Sequence, residues 1–253
     1  MAKYITTPLS QDTINDLKAG DVVFLSGKII VARDAAHKRL VEALKAGEDI
    51  PFSLKDETIF YAGPAPTPPG AVIGPIGPTT SGRMDTYTPY LLGRGLRGMI
   101  GKGRRSQEVL RSICDNQAVY FGATGGTAVL LSDSVISAEV IAFEDLGPEA
   151  VLRLDVKDMS LVVLADCHGG DLYSRCEPAE RRILNRALLD KIILDDEDHV
   201  DYVPTDAVSV TIAQARATQP PDLGTKTNLP RHQTGQVSIF STYVDLRREF
   251  ENP

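Results

Sequence analysis

The apolar positions along the chain change period several times, and each change marks an element. "QDTINDLKA" (11–19) reads as a short helix, and "DVVFLSGKIIVA" (21–32) as a pair of strands around a Ser26-Gly27 turn. In "RDAAHKRLVEALKAG" (33–47), Ala36, Leu40, Val41 and Leu44 recur at helical spacing and Gly47 supplies a stop signal. "TIFYAGP" (58–64) is a buried-type strand that runs into a stretch, 63–78, too rich in proline and glycine for a helix or a central strand. "RGMIGKG" (97–103) reads as a strand ending in glycines, followed by a helix from about Ser106 to Cys114. "QAVYFGATGG" (117–126) is a strand meeting a glycine-rich turn, and 136–145, 150–158 and 160–169 read as three further strands. Strands and helices alternate, so the pattern predicts an α/β domain over residues 1–173, with a mixed central sheet, flanking helices and polar groups carried on loops.

From Ser174 the character changes. "EPAERRILNRALLDKIIL" (177–194) predicts an amphipathic helix, and "DDEDHVD" (195–201) is an acidic patch. "TQPPDLGTKTNLPRHQTG" (218–235) resembles a linker, and "VSIFSTYVDL" (237–246) reads as a last strand or helix. Residues 174–253 are therefore expected to form a C-terminal extension, and no chemistry is legible in it.

Composition narrows the setting. An apolar content of 42% and a charged content of 24% suit a globular protein with a proper core. No run reaches the roughly 18 apolar residues of a membrane span, and "MAKYITTPLS" has no apolar signal segment, so a cytoplasmic, membrane-free protein is the expectation. Cys114, Cys167 and Cys176 are odd in number and lack CxxC spacing, which argues against a disulfide framework and a self-contained metal or iron–sulfur site. The net charge of −7 disfavours nucleic acid as a partner. Against that acidic balance, Arg83, Arg94, Arg97, Lys102, Arg104 and Arg105 crowd into 83–105 with one acid, Asp85, a pattern that suits a small anion or a solvated patch.

Three segments offer chemistry. In "GPIGPTTSGRMD" (74–85), Pro78 sets one φ while Gly77 and Gly82 permit unusual backbone, so loop N–H groups could face an anion and Arg83 could grip a carboxylate. The same loop also reads as a helix N-cap made by Thr79, Thr80 or Ser81. In "ARDAAHKRL", Arg33 stands where a strand gives way to a helix, and His37, one turn on, reads as a packing or surface histidine rather than a base. "GMIGKGRRS" sets Lys102 on an uncrowded loop, with Arg104 and Arg105 expected on the surface of the next helix. Asp166, Cys167, His168 and Asp171 in "DCHGGDLY" read as a loop after a strand rather than as metal ligands. Arg33, Arg83 and Lys102, with a hydroxyl cluster among them, suit a dianion such as a dicarboxylic acid.

"GKIIVARDAAHKRL", "YAGPAPTPPGAVIGPIGPTTSGRMDTY", "MIGKGRRS", "VYFGATGGTA" and "FEDLGPEAV" occur in this order, over about residues 10–173. They resemble the β subunit, or C-terminal domain, of the class I iron–sulfur fumarases and L(+)-tartrate dehydratases. The resemblance implies a swivelling-type β/α domain that closes over a cluster-bearing α subunit, commonly in an α2β2 heterotetramer. It implies a hydro-lyase acting on a 2-hydroxy dicarboxylate, with malate/fumarate first and tartrate or a methylated C5 analogue as further candidates. A [4Fe–4S] cluster would be held by the α partner and not by this chain. Carried over by position, Thr79 matches the proposed base that takes the proton α to a carboxylate, and Arg33, Arg83 and Lys102 match the cations that hold the carboxylates. Residues 174–253 have no counterpart in the resemblance. The rival expectations are a non-catalytic dicarboxylate-binding or scaffolding domain and a phosphate-binding transferase, the latter lacking a GxxxxGK[ST] pattern and an acidic pair for Mg²⁺.

Overall fold

A computed structural model describes residues 2–123 and 128–175, and two short strands, Ile193–Leu194 and Val200–Asp201, within a separate unit. Seven strands form the main sheet: β1 (Lys3–Thr6), β2 (Val22–Val31), β3 (Thr58–Phe60), β6 (Gly98–Gly101), β7 (Val119–Gly122), β8 (Val135–Ala142) and β9 (Val151–Ala165). A small antiparallel pair, β4 (Ala62–Pro64) and β5 (Ile76–Pro78), stands apart from it. β1, β2, β3, β6 and β7 run parallel, and β9 runs antiparallel to both β2 and β7. The sheet consequently closes on itself through β2, β3, β6, β7 and β9 into a small barrel-like ring. Its interior is filled by Val23, Leu25, Ile29, Phe60, Ile100, Phe121, Leu154 and Val163, all essentially inaccessible to solvent. Each such side chain contributes roughly 1.5–3 kcal/mol relative to an exposed position.

The helices follow their local signals. α1 (Gln11–Asp16) is capped by Ser10, whose hydroxyl accepts from Thr13 N, and α4 (Gln107–Asp115) by Ser106, which accepts from Val109 N. α2 (Asp34–Ala46) ends at Gly47 in the left-handed region (φ 77°), where the Gly47 N–H reaches the last carbonyls of the helix. α3 (Thr88–Gly93), α5 (Ala128–Asp133) and α6 (Leu172–Arg175) complete the set. No helix among the described residues is long and apolar enough to cross a membrane.

Four expectations are corrected. Residues 21–32 form one strand, β2, rather than a hairpin. Gly27 (φ 106°) provides an irregularity instead of a turn, and the Thr7 hydroxyl packs so closely that a Cβ would not fit there. Residues 150–158 and 160–169 likewise contribute a single strand, β9. Between Leu25↔Met159 and Gly27↔Val156 the partner strand carries one extra residue, and Asp158 (φ 51°) accommodates it. Ser26 stabilises the irregularity, its hydroxyl accepting from Asp158 N at 2.9 Å. β9 pairs with β2 from Leu152 to Val162, on both sides of the irregularity, while β8 pairs with its first part and β7 with its last residues, and the β2–β9 and β7–β9 pairings together close the ring. Residues 58–64, read as one strand, divide into β3 of the main sheet and β4, which pairs with β5 of the proline/glycine stretch in a separate small sheet. Finally, of the helix expected over 177–194, Ile193–Leu194 is strand, paired with Val200–Asp201, and the rest lies outside the described residues, as does 237–246.

Candidate active site

Arg33 and Lys102 stand where parallel strands of the main sheet end, and Thr79 stands just past the small antiparallel pair. Arg33 follows β2 and is the N-cap of α2, Thr79 follows β5, and Lys102 follows β6. In open α/β sheets the carboxyl ends of strands form the crevice in which ligands bind, because the loops there are free to carry polar groups. β9 runs the other way, so its N-terminal approach reaches the same edge. Val31 pairs with Leu152, which sets Glu149, just ahead of β9, beside Arg33, just beyond β2.

Two of the three cations are ion-paired within the chain. Arg33 Nη2 donates to Glu149 Oε1 at 2.8 Å, and Glu149 Oε2 accepts from Ala35 N, in the first turn of α2, at 2.8 Å. Arg83 Nε lies 2.8 Å from Asp34 Oδ1, and its Nη1 donates to Thr79 Oγ1 at 3.3 Å. Burial raises the Glu149 carboxyl, but the Ala35 N–H and the Arg33 guanidinium outweigh it and hold the group below the ordinary glutamate range. The pairing is crossed: Asp34 neighbours Arg33 in sequence but serves Arg83. Lys102 Nζ has no partner among the described residues. The cluster of Arg33, Arg83, Lys102, Asp34 and Glu149 therefore carries a formal charge of +1 rather than the +3 of its cations alone. Both arginines keep part of their fork unused, including a buried Arg33 Nε with no partner.

The loop that carries Thr79 is held by its backbone. Thr79 N donates to Tyr61 O at 2.7 Å and Ser81 N to Lys102 O at 2.9 Å, so these N–H groups are spoken for and do not form an anion-binding nest. Neither a Thr nor a Ser side chain caps the short 3₁₀ turn over Ser81–Met84, which disposes of the capping reading as well. A bridge between Thr80 and Lys102 brings the base candidate and the free lysine onto neighbouring strand-like segments.

Beneath the loops lies a charged hub that the local pattern did not disclose. Arg105, expected at the surface, has a side chain with 0% exposure. Its Nε lies 2.7 Å from Asp85 Oδ1 and its Nη2 donates to Thr88 Oγ1 at 2.6 Å, while the guanidinium stacks 5.2 Å from the Tyr61 ring and 5.1 Å from the Tyr120 ring. Burial opposes the cation, but Tyr61, Tyr120 and Asp85 outweigh it and keep it charged. The Tyr120 hydroxyl donates to Gly103 O at 2.8 Å and lies 2.9 Å from Ser81 Oγ. No signal in the sequence distinguishes Arg105 from Arg104, which is exposed.

His37 is fully buried, as a packing histidine would be. Its Nδ1–H donates to Arg33 O at 3.1 Å, and its ring meets Tyr61 edge-on at 5.2 Å. Burial, reinforced by Arg105, pushes its pKa down to about 4, so it is neutral at pH 7. Asp166 is a loop organiser: its carboxylate accepts from Ala19 N, His168 N and Gly170 N. No three His, Cys, Asp or Glu side chains stand together as a metal site among the described residues. An open cleft of about 450 Å³ at the far end of α2, lined by Leu44, Phe52, Leu54 and Arg94 among others, shares no residue with the cluster.

Comparison with known proteins decides the family. Residues 3–176 match the family model for the fumarase C-terminus. The chain belongs to that family. This fumarase C-terminus domain is 36% identical over 192 residues to a putative L(+)-tartrate dehydratase subunit beta of Methanocaldococcus jannaschii, covering 74% of this chain and 98% of the relative. It is 42% identical over 153 residues to the anaerobic class I fumarate hydratase of Escherichia coli (strain K12), covering 60% of this chain and 28% of that enzyme. It is 38% identical over 164 residues to fumarate hydratase 2 of Leishmania major, covering 64% and 29%. The chain thus spans little more than a quarter of the fumarate hydratases it matches and almost all of the archaeal subunit. The relatives are named as fumarate hydratases and as a putative tartrate dehydratase subunit.

Proposed function

We propose that this chain is the β subunit of a hydro-lyase that reversibly removes water from a 2-hydroxy dicarboxylate, malate/fumarate first, with tartrate or a methylated C5 analogue as the alternatives. The observation that carries the reading is the convergence of Arg33, Arg83 and Lys102 around Thr79 at one edge of the sheet, in a chain whose relatives are fumarate hydratases and a tartrate dehydratase subunit. In this proposal the domain swivels over a separate, cluster-bearing α subunit in a cytoplasmic α2β2 assembly. A [4Fe–4S] group belongs in this proposal to that partner, and none of the chemistry given to this chain runs through it.

The open edges of Arg33 and Arg83 and the free ammonium of Lys102 bind the two substrate carboxylates. Thr79 Oγ takes the proton from the carbon α to one of them, leaving an aci-carboxylate with added negative charge. The electron pair of the aci-carboxylate then forms the carbon–carbon double bond as the bond to the hydroxyl on the adjacent carbon breaks, and the departing hydroxide takes up one proton to leave as water, balancing the proton held on Thr79. Fixed cations stabilise the aci-carboxylate more than the ground state, since the charge they face is larger there. A hydroxyl is too weak an acid to ionise unaided at pH 7, and the hydrogen bond from Arg83 Nη1 favours its charged form.

The test is co-expression with the cluster-bearing α partner, anaerobic purification and assay on malate, fumarate, tartrate and mesaconate. Turnover that falls about 10²–10⁴-fold in Thr79→Ala supports the proposal. An intact-cluster complex without turnover on any of these acids overturns it in favour of a dicarboxylate-binding module.

A further inference from the structure

We propose that Asp34 is a positioning residue for the proton-transfer step: it holds Arg83 by Nε so that Nη1 meets Thr79 Oγ1 and Nη2 stays free for substrate. The inference rests on the reading of Thr79 as the base.

The geometry is a chain of three groups. Asp34 Oδ1 lies 2.8 Å from Arg83 Nε, and Arg83 Nη1 lies 3.3 Å from Thr79 Oγ1. Arg83 is 53% exposed, and among the described residues the Asp34 pair and the Thr79 hydroxyl are the side-chain partners that restrain its long side chain. Asp34 is 28% exposed and is the first residue of α2, where the positive end of the helix favours its carboxylate. Its other oxygen, Oδ2, is buried without a partner, so the carboxylate is committed to Arg83 alone. Arg33 is paired instead with Glu149 through Nη2, and Glu149 is itself anchored to Ala35 N.

The arrangement has an electrostatic consequence. A cation on Thr79 Oγ1 favours the alkoxide, and an anion on the far side of that cation offsets part of the effect. The other ionisable groups around the chain of contacts are Arg33 and His37 on α2, Glu149 ahead of β9, and Lys102 after β6. His37 is neutral above pH 5 and Glu149 is ionised there, so neither changes charge across the neutral range. Asp34→Asn keeps an oxygen for Arg83 Nε while removing the charge, and Asp34→Ala removes both. The two substitutions separate orientation from field.

The experiment measures pH profiles of kcat and kcat/KM for the complex with its α partner, in wild type, Asp34→Asn, Asp34→Ala and Thr79→Ala, with urea unfolding of each variant. For Asp34→Asn the expected result is an ascending limb displaced to lower pH by about half a unit or more, with KM changed less than about threefold. For Asp34→Ala the expected result is a kcat at least tenfold lower. Asp34→Asn with a profile superimposable on wild type, beside a Thr79→Ala that has lost turnover, overturns the positioning role and leaves the Thr79 reading standing. Thr79→Ala with wild-type turnover removes the base and the positioning role together.

Discussion

Arg105 Nε and Asp85 Oδ1 stand 2.7 Å apart beneath the candidate site, and Asp85 Oδ2 accepts from Ser106 N at 2.6 Å. Asp85 closes the loop that carries Thr79 and Arg83, while Arg105 follows the loop that carries Lys102. A single buried ion pair therefore joins two loops that approach the site from different strands. The pair is enclosed by Tyr61, Tyr120 and Thr88, so each charge has the hydrogen bonds that burial demands.

Removing the cation should expose what the pair does. Arg105→Ala leaves the Asp85 carboxylate uncompensated and empties the space between two tyrosine rings. A loss of about 3 kcal/mol in urea unfolding is expected, because breaking a buried pair from one side is strongly destabilising. Catalysis should fall with it. Arg105→Lys should recover only part of the stability, since an ammonium cannot serve Asp85 and Thr88 in one plane as the guanidinium does.

Gly101 ends β6 directly under Ser81, where an added Cβ would run into the Ser81 hydroxyl and press on Tyr61. Ser81 is buried beside the Tyr120 hydroxyl and cannot step aside. Gly101→Ala should move the 79–83 loop by roughly an ångström, cost roughly 1–3 kcal/mol, and lower kcat more than KM. Steady-state kinetics of the assembled enzyme beside urea unfolding of the chain check both expectations.

Gly63 presents a subtler case. A Cβ there would meet the Arg33 guanidinium at 3.3 Å and the Pro148 carbonyl at 3.1 Å. Gly63→Ala should push on Arg33 and on the segment that ends in Glu149, so substrate affinity should weaken while the fold persists. A rise in KM of several-fold with a small change in unfolding midpoint is the expected outcome. A KM equal to wild type would show that Arg33 has room to yield.

His37 should make the domain sensitive to acid. Its folded pKa of about 4 lies below the ordinary histidine value of about 6.5, so the unfolded chain binds a proton that the folded one refuses. Stability from this group is complete above pH 6.5 and is lost as pH falls towards 4, at about 1.4 kcal/mol per pH unit. Thermal unfolding followed between pH 7 and 4.5 should show a shallower decline in His37→Gln than in wild type. Parallel declines would mean that other groups set the acid limit.

Local chemistry was readable from residue order because the forces behind it act within a turn or two. Gly47 stops α2, α4 starts beside Ser106, and Arg33 and Lys102 follow strands, all as the spacing predicts. The resemblance over residues 10–173 carried the family, which the match over residues 3–176 then established. What residue order alone could not settle is who pairs with whom. Glu149 finds Arg33 across 116 positions because β9 runs antiparallel along β2 from its first residues, setting Leu152 against Val31. Read as two strands, that segment gives no reason for the meeting. Arg105 and Arg104 are likewise indistinguishable as neighbours, and only the cage of Tyr61, Tyr120, Thr88 and Asp85 turns one of them inward. Residue order determined which chemical groups this protein owns and on which loops they ride. Tertiary structure decided their charge balance and their aim, because an ion pair depends on distances of a few ångströms that strand register alone sets.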